Sequence, residues 1–418
     1  YLELIEIRVR LEKQRSLPPA ASRRCTRVQG QFFRYGNNFN MSKKLNVAVV
    51  FGGRSGEHEV SVMSARSVVE NLDREKYNVI PLYVSRDGQW LPPAQAEAQL
   101  GGGDVKALKT AGFDADQSLA LVPGVGSTPG RWQGANIQLD QIDIIFPVVH
   151  GTYGEDGTLQ GMMEMADIPY VGAGVLASAL GMDKALMKAV CEQAGIPVLP
   201  AFTLTRAHWE ATQGSGREEL LEQIEKTASY PAFVKPCNLG SSVGISKVRN
   251  REELRKGIDE AARFDRKILI EKGLESPREI ELSVLGNDHP EVSLPGEIIH
   301  GGDFYDYQTK YFETQGQQTQ IPAHLTEEQT QKLQELAIKT FLTLDLNGLS
   351  RVDFLLDSKD GESIYLNEVN TMPGFTPISM YSMMWKASGK EYKELLDDLI
   401  ELGLERHRDR TRNETSVA

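Results

Sequence analysis

The sequence predicts an α/β fold that passes into an α+β one, and three observations carry that reading. Strand-length apolar runs alternate with helical stretches through residues 46–149, the pattern of a parallel sheet flanked by helices. Further along, strand-like runs are joined by turns into hairpins and a long polar loop interrupts them. The chain has 418 residues, enough for two or three domains with a core that needs no covalent staples.

Taken in order, residues 1–40 carry eight Lys/Arg against three Asp/Glu, a balance of +5, which leaves −17 for the other 378 residues of a chain with net charge −12. They run into Met41-Ser42-Lys43-Lys44, which resembles a chain start just ahead of the first strand. We expect an N-terminal extension that is disordered or non-native; a basic arm for an acidic surface and a targeting peptide are the alternatives. Residues 46–51 read as a buried strand, 60–72 as a helix, 78–84 and 142–149 as further strands, together a parallel α/β domain over 41–171. Its Gly52-Gly53 turn leads into a helix N-terminus, a natural place for a charged ligand, although a fuller dinucleotide fingerprint is absent. Residues 93–137, rich in Gly, Ala, Pro and Gln, read as an insertion with little chemistry.

A second unit, 172–266, is expected to hold a helix over 182–193, a strand over 198–204, a helix over 217–228, the strand Phe233-Val234-Lys235-Pro236, and a helix opened by an Asn250/Glu253 capping box and running to Ala262. A third, 267–418, starts with strands over 268–271 and 279–285. The polar loop 301–320 follows, then a helix with a Thr326/Gln329 capping box ending near Leu344, then a hairpin of 349–356 and 363–369.

That hairpin gathers the most pointed chemistry. Side chains alternate along a strand, so Arg351 and Asp353 share a face, as do Glu368 and Asn370. Three hard oxygen donors and a guanidinium in one place suit Mg²⁺ held against phosphate. Downstream, Gly374 in Thr371-Met372-Pro373-Gly374 can bring its N–H close to a ligand. Upstream, Lys235 precedes Gly240-Ser241-Ser242-Val243-Gly244, whose small residues can close backbone N–H groups over phosphate oxygens; no GK[ST] follows, so this is not a Walker loop.

Composition narrows the class. Three cysteines, Cys25, Cys191 and Cys237, give no disulfide framework and suit a reducing, cytoplasmic setting. No apolar run approaches the ~18 residues of a membrane span, and a net charge of −12 argues against nucleic acid as a partner.

The strings FGGRSGEHEVS (51–61), HGTYGEDGTLQG (150–161), MDK (182–184), KPCNLGSSVG (235–244), FYDYQTKY (304–311), RVDF (351–354) and NEVNTMPGFT (367–376), in this order, resemble the D-alanine–D-alanine ligases of the ATP-grasp superfamily. The resemblance spans roughly Lys44 to His407. It implies an ATP-grasp fold with an N-terminal parallel α/β (pre-ATP-grasp) domain, ATP between the second and third units, and a homodimer. It also implies two Mg²⁺ or Mn²⁺ ions and the joining of two D-alanines through an acyl phosphate. On matching positions, Lys184 and Lys235 contact phosphate with Ser241 and Ser242. Glu271, Lys272 and Glu279 lie near adenine and ribose, and Asp353, Glu368 and Asn370 hold the metal. Arg351 stabilises the transferring phosphoryl group and the tetrahedral intermediate, with the Gly374 N–H as the oxyanion donor. Glu57 pairs with the first D-alanine's ammonium and forms a trio with Ser241 and Tyr311. His150 lies near the substrate, Ser379 binds the second D-alanine's carboxylate, and Lys310 approaches phosphate from loop 301–320, a candidate lid. Tyrosine rather than phenylalanine at 311 favours the dipeptide over D-alanyl-D-lactate. The alternatives are a D-lactate or D-serine ligase, another ATP-grasp carboxylate–amine ligase, and an ATP-binding regulatory protein.

Overall fold

The computed structural model describes residues 44–101, 119–122, 131–134, 138–139, 142–300 and 317–414. The expected extension 1–40, much of the insertion, and Lys310 and Tyr311 of the expected lid lie outside the described residues.

β1 (Leu45–Gly52) is buried from Val47 onward, as a strand covered on both faces must be. The turn after it needs glycine: Gly52 has φ +92°, and a Cβ there would sit 2.1 Å from the Val84 carbonyl. α1 (His58–Asn71) returns the chain to β2 (Tyr77–Val84), parallel to β1. β3 (Trp90–Leu91) adds an antiparallel edge and α2 (Pro93–Leu100) follows. In the insertion, β4 (Leu119–Val122), β5 (Arg131–Gly134) and β6 (Gln138–Leu139) form a small antiparallel sheet. β7 (Ile144–Pro147), shorter than the expected 142–149, completes a sheet of order β3-β2-β1-β7, and α3 (Thr158–Met165) follows.

The helix expected over 182–193 is α5 (Lys184–Gln193), and a further helix, α4 (Val175–Met182), precedes it where none was expected. Asp183 between them is extended, and its carboxylate accepts the Leu186 N–H at 3.1 Å. A short carboxylate caps the second helix better than it continues the first. Both helices pack on the third sheet, where Ala177, Met187 and Cys191 meet Ile280, Leu282 and Val352.

β8 (Ala201–Thr205), α6 (Arg206–Ala211), α7 (Gly214–Thr227), β9 (Ala232–Pro236), β10 (Ser246–Val248), α8 (Arg251–Phe264) and β11 (Lys267–Lys272) make the second layer pair, an antiparallel sheet of order β10-β9-β11-β8. The expected boundary at Lys267 therefore falls one strand early. β11 runs between β8 and β9, with Ile268 and Ile270 in the core of Leu221, Val234 and Ile258. The cap of α8 is half the expected box: Asn250 accepts the Glu253 N–H, but the Glu253 carboxylate reaches the Arg249 N–H instead.

The third sheet contains β12 (Arg278–Gly286), β13 (Glu291–Val292), β14 (Gly296–His300), β15 (Gln317–Gln320), β16 (Gly348–Leu356) and β17 (Ile364–Asn370), in the order β15-β14-β12-β16-β17 with β13 on β12. α9 (Glu327–Thr343) covers it, opened by a complete Thr326/Gln329 box. No described helix is long and apolar enough to cross a membrane.

After α10 (Met380–Ala387), α11 (Tyr392–Arg410) returns to the first sheet, where Leu395, Leu399 and Ile400 join Val47, Val49 and Phe146. Gly403 permits this approach, since a Cβ there would lie 2.7 Å from the Tyr170 carbonyl and 2.9 Å from Ile144 Cδ1. Gly403→Ala must push α11 off the sheet and should cost about 1–3 kcal/mol, read as a lower urea midpoint; an unchanged midpoint would show that the helix shifts freely.

Candidate active site

β16 and β17 set Arg351 opposite Asn370 and Asp353 opposite Glu368, then slip so that Phe354 faces Leu366. Asn367 is the extra residue. Without this bulge Leu366 and Glu368 would share a face; with it, Leu366 and Phe354 enter the core while Glu368, Arg351 and Asn370 line a cavity. Arg351 grips Asp353 with two bonds, Nε to Oδ1 at 2.8 Å and Nη2 to Oδ2 at 2.7 Å. It also lies 3.1 Å from Glu281 on β12, and Asn370 Nδ2 donates to Asp353 Oδ2 at 2.9 Å. Burial opposes the guanidinium charge, but Asp353 and Glu281 outweigh it and hold Arg351 firmly protonated.

Two lysine arrangements flank this hairpin. Lys184, at the start of α5, donates to the Leu239 carbonyl at 2.9 Å and lies 3.3 Å from Glu368. Lys235 on β9 donates to Glu271 at 2.8 Å and to Asn367 Oδ1 at 3.3 Å. Glu271 is 1% exposed, and its other oxygen pairs with Lys188 at 2.5 Å. Glu271 is a buried clamp between two ammonium groups on β11, an interior strand. Burial pulls the Lys188 charge down, whereas for Lys235 Glu271 overcomes burial and raises it. Two cations share this carboxylate, and Glu368 acts on both as well. Glu279 is half-buried at the start of β12, and Lys272 is exposed.

The glycine-serine loop crosses to the first domain. Ser241 and Ser242 both have left-handed φ, +54° and +58°, at a cost of about 1–2 kcal/mol each for side-chain-bearing residues. The Ser241 hydroxyl donates to Glu57, 184 positions away. Two members of the expected trio are therefore together; Tyr311 lies outside the described residues. Glu57, Lys184, Ser241, Arg351, Asn370 and Gly374 line a cavity of about 60 Å³. That space holds about four to six waters, the scale of a small amino acid. Ser379 is not part of this lining but lies next to Gly374, and its Oγ accepts the Thr376 N–H at 3.0 Å.

His150 is 3% exposed and sits on the cavity wall with Glu155. Burial keeps the imidazole below its ordinary range. Burial, with Glu57 nearby, pushes the Glu155 carboxyl up to about 8, against the two backbone N–H groups it accepts. Sequence reasoning missed Glu155, Lys188, Glu281 and Asn367. Lys188 lies four residues after Lys184 and so on the same helix face, and Glu155 lies inside the HGTYGEDG string. Asn367 opens the NEVNTMPGFT string, but its place in a bulge is a tertiary fact, and Glu281, a partner from a neighbouring strand, carries no sequence signal.

The oxygen set of Asp353, Glu368 and Asn370 suits a hard cation, and among the described residues Asp353 Oδ1 accepts one bond, from Arg351 Nε. Among the described residues no three His, Cys, Asp or Glu are gathered to hold a metal. A cation here would have two carboxylates, one amide oxygen and positions left for phosphate oxygens, as Mg²⁺ accepts.

Two family models match the chain, "D-ala D-ala ligase N-terminus" over residues 46–173 and "D-ala D-ala ligase C-terminus" over 190–401. A D-alanine–D-alanine ligase of Natranaerobius thermophilus is 47% identical over 377 residues, covering 90% of this chain and 99% of the relative. One from Bacillus cytotoxicus is 45% identical, covering 88% and 98%. Among solved structures, the D-alanine–D-alanine ligase from Coxiella burnetii has a TM-score of 0.74 at 36% identity, covering 89% of this chain and 97% of that one. A D-Ala:D-Ser ligase from Enterococcus faecalis has a TM-score of 0.72 at 34% identity, covering 86% and 100%. The neighbours' ATP-grasp architecture is the one built here from three sheets. With both halves matched and near-complete relatives at this identity, the chain belongs to the D-alanine–D-alanine ligase family.

Proposed function

We propose that this enzyme joins two D-alanines into D-alanyl-D-alanine at the expense of ATP, supplying a peptidoglycan precursor in the cytoplasm. The observation that carries the reading is the meeting in one small cavity of Glu57 and Ser241 with Arg351, Asn370 and Lys184, drawn from all three parts of the chain. The first D-alanine's carboxylate oxygen attacks the γ-phosphorus, the bond to ADP breaks, and an acyl phosphate forms. The second D-alanine's amine then attacks the carbonyl carbon. The C–N bond forms as the carbonyl pair moves onto oxygen; the pair returns, the C–O bond to phosphate breaks, and the nitrogen loses its proton.

Both steps concentrate negative charge, so the contribution of the protein is electrostatic preorganisation. Lys184 and Lys235, with the Ser241-Ser242 loop, face the phosphates, and Arg351 faces the transferring group. Glu57 takes the first ammonium, Ser379 the second carboxylate, and the Gly374 N–H the oxyanion. Glu271, Lys272 and Glu279 are proposed nucleotide contacts, and Lys310 and Tyr311 proposed lid residues that keep water from the acyl phosphate. Asp353, Glu368 and Asn370 would hold two Mg²⁺ or Mn²⁺ ions, which supply charge neutralisation between phosphate oxygens. A homodimer is part of the same proposal. ATP-dependent phosphate release with D-alanine, L-alanine and D-lactate in parallel, followed by product identification, tests the reading; release with L-alanine alone would overturn it.

Replacing Glu368 by glutamine keeps its volume but removes the charge beside Lys184. Turnover should fall roughly 10²-fold while the fold persists; near wild-type turnover of the folded variant would remove Glu368 from the metal set.

Acceptor choice is open to test because a D-Ala:D-Ser ligase stands among the structural neighbours. Loss of the Tyr311 hydroxyl would leave its trio less well satisfied by about 1–3 kcal/mol. Tyr311→Phe should weaken dipeptide synthesis and raise the share of D-alanyl-D-lactate when both acceptors compete near neutral pH. An unchanged ester-to-peptide ratio would assign acceptor choice elsewhere.

A further inference from the structure

The loop 371–375 leaves β17 directly after Asn370, and its backbone is gripped by three residues from the N-terminal part of the chain. The Met372 N–H donates to Glu155 Oε1 at 2.8 Å, and the other Glu155 oxygen accepts the Gly151 N–H at 2.7 Å. The Met372 carbonyl meets His150 Nδ1 at 2.8 Å. A carbonyl only accepts, so Nδ1 carries the proton, and in the neutral ring Nε2 is then an acceptor. It takes the Ser64 hydroxyl proton at 2.9 Å, and Ser64 Oγ accepts the Phe375 N–H at 3.2 Å. Ser64 is fully buried and His150 and Glu155 nearly so. The grip is therefore built in a water-poor place, where such bonds are strong and costly to break.

Its consequence lies in what it leaves over. Met372 and Phe375 have their N–H groups taken, and Pro373 has none. Among the described residues the Gly374 N–H has no acceptor, and Gly374 lines the cavity. Both ring nitrogens of His150 are also occupied, so neither is available to a substrate. We infer that Ser64, His150 and Glu155 are positioning residues that fix the Gly374 N–H toward the carbonyl oxygen of the acyl group for the peptide-forming step, and that His150 is a loop clamp rather than a substrate ligand. This rests on the proposed ligase reaction. Charge in the first step develops on phosphate oxygens, which Lys184, Lys235 and Arg351 face. In the second it develops on the carbonyl oxygen, which the loop faces, so loosening the loop penalises the second step selectively.

Ser64→Ala removes the hydroxyl from a buried helical position without adding volume. Two rates are compared in wild type and variant with ATP and D-alanine: dipeptide formation, and D-alanine-dependent exchange of ¹⁸O between bridging and non-bridging positions of the β,γ-linkage of ATP, which reports reversible phosphoryl transfer alone. The expected result is a fall in dipeptide kcat of about tenfold or more, with exchange and the KM for ATP within about threefold of wild type. Ser64→Thr, which keeps the hydroxyl, should retain most of the dipeptide rate. Should Ser64→Ala not fold, Glu155→Gln, which sets an amide N–H against one of the two N–H groups, is carried through the same pair of assays with the same expectation. Equal loss of both rates, or loss of neither, overturns the inference. Absence of both signals in the wild type would sink the ligase reading instead, which separates the two failures.

Discussion

Charge taken out of water has to be paired, and the centre of this molecule is organised by that constraint. Arg351 is buried between Asp353 and Glu281, and Lys235 and Lys188 share Glu271. Removing one partner from such a pair costs about 3–5 kcal/mol, because the other is left buried and uncompensated. The pairs therefore fix one another. They sit where β9 and β11 face β17 and α5, so the charge network also fixes how the second and third sheets meet.

Around that centre the chain is interwoven. α4 and α5 precede the second sheet in sequence yet pack on the third, and α11 ends the chain on the first. Each crossing brings chemistry with it. α5 delivers Lys184 and Lys188 to the sheet edge where Glu368 and Leu366 lie, and loop 371–375 reaches the N-terminal residues His150 and Glu155. The site is preorganised because its walls belong to elements anchored elsewhere, in apolar clusters whose burial supplies the stability that the strained Ser241-Ser242 turn and the buried charges consume.

Much of this was legible beforehand. The alternation of apolar runs located β1, β2, β12 and β16 to within a residue or two, and Thr326/Gln329 announced α9. The expectation that Arg351, Asp353, Glu368 and Asn370 gather in one place holds in the structure. The misreadings have specific causes. The helix Val175–Met182 went unread, because its small and apolar residues give no helical periodicity distinct from a buried segment. β11 looked like the start of a new unit, because its pairing with β8 and β9 spans up to 70 residues and leaves no local trace. The burial of Glu271 between two lysines was not legible, since it is a property of the assembled sheet.

The sequence by itself determined the elements, the residue types of the site and, through seven ordered strings, the family. These are encoded in short windows, where propensity, capping and side-chain alternation act over a few residues. The tertiary structure alone decided which charges neutralise which, that the Asn367 bulge turns Glu368 toward the cavity and Leu366 away from it, and that Met372 is held by His150 and Glu155 from more than 200 positions away. Such pairings depend on distance and burial in space. Only the folded chain sets these, because they depend on every intervening segment at once.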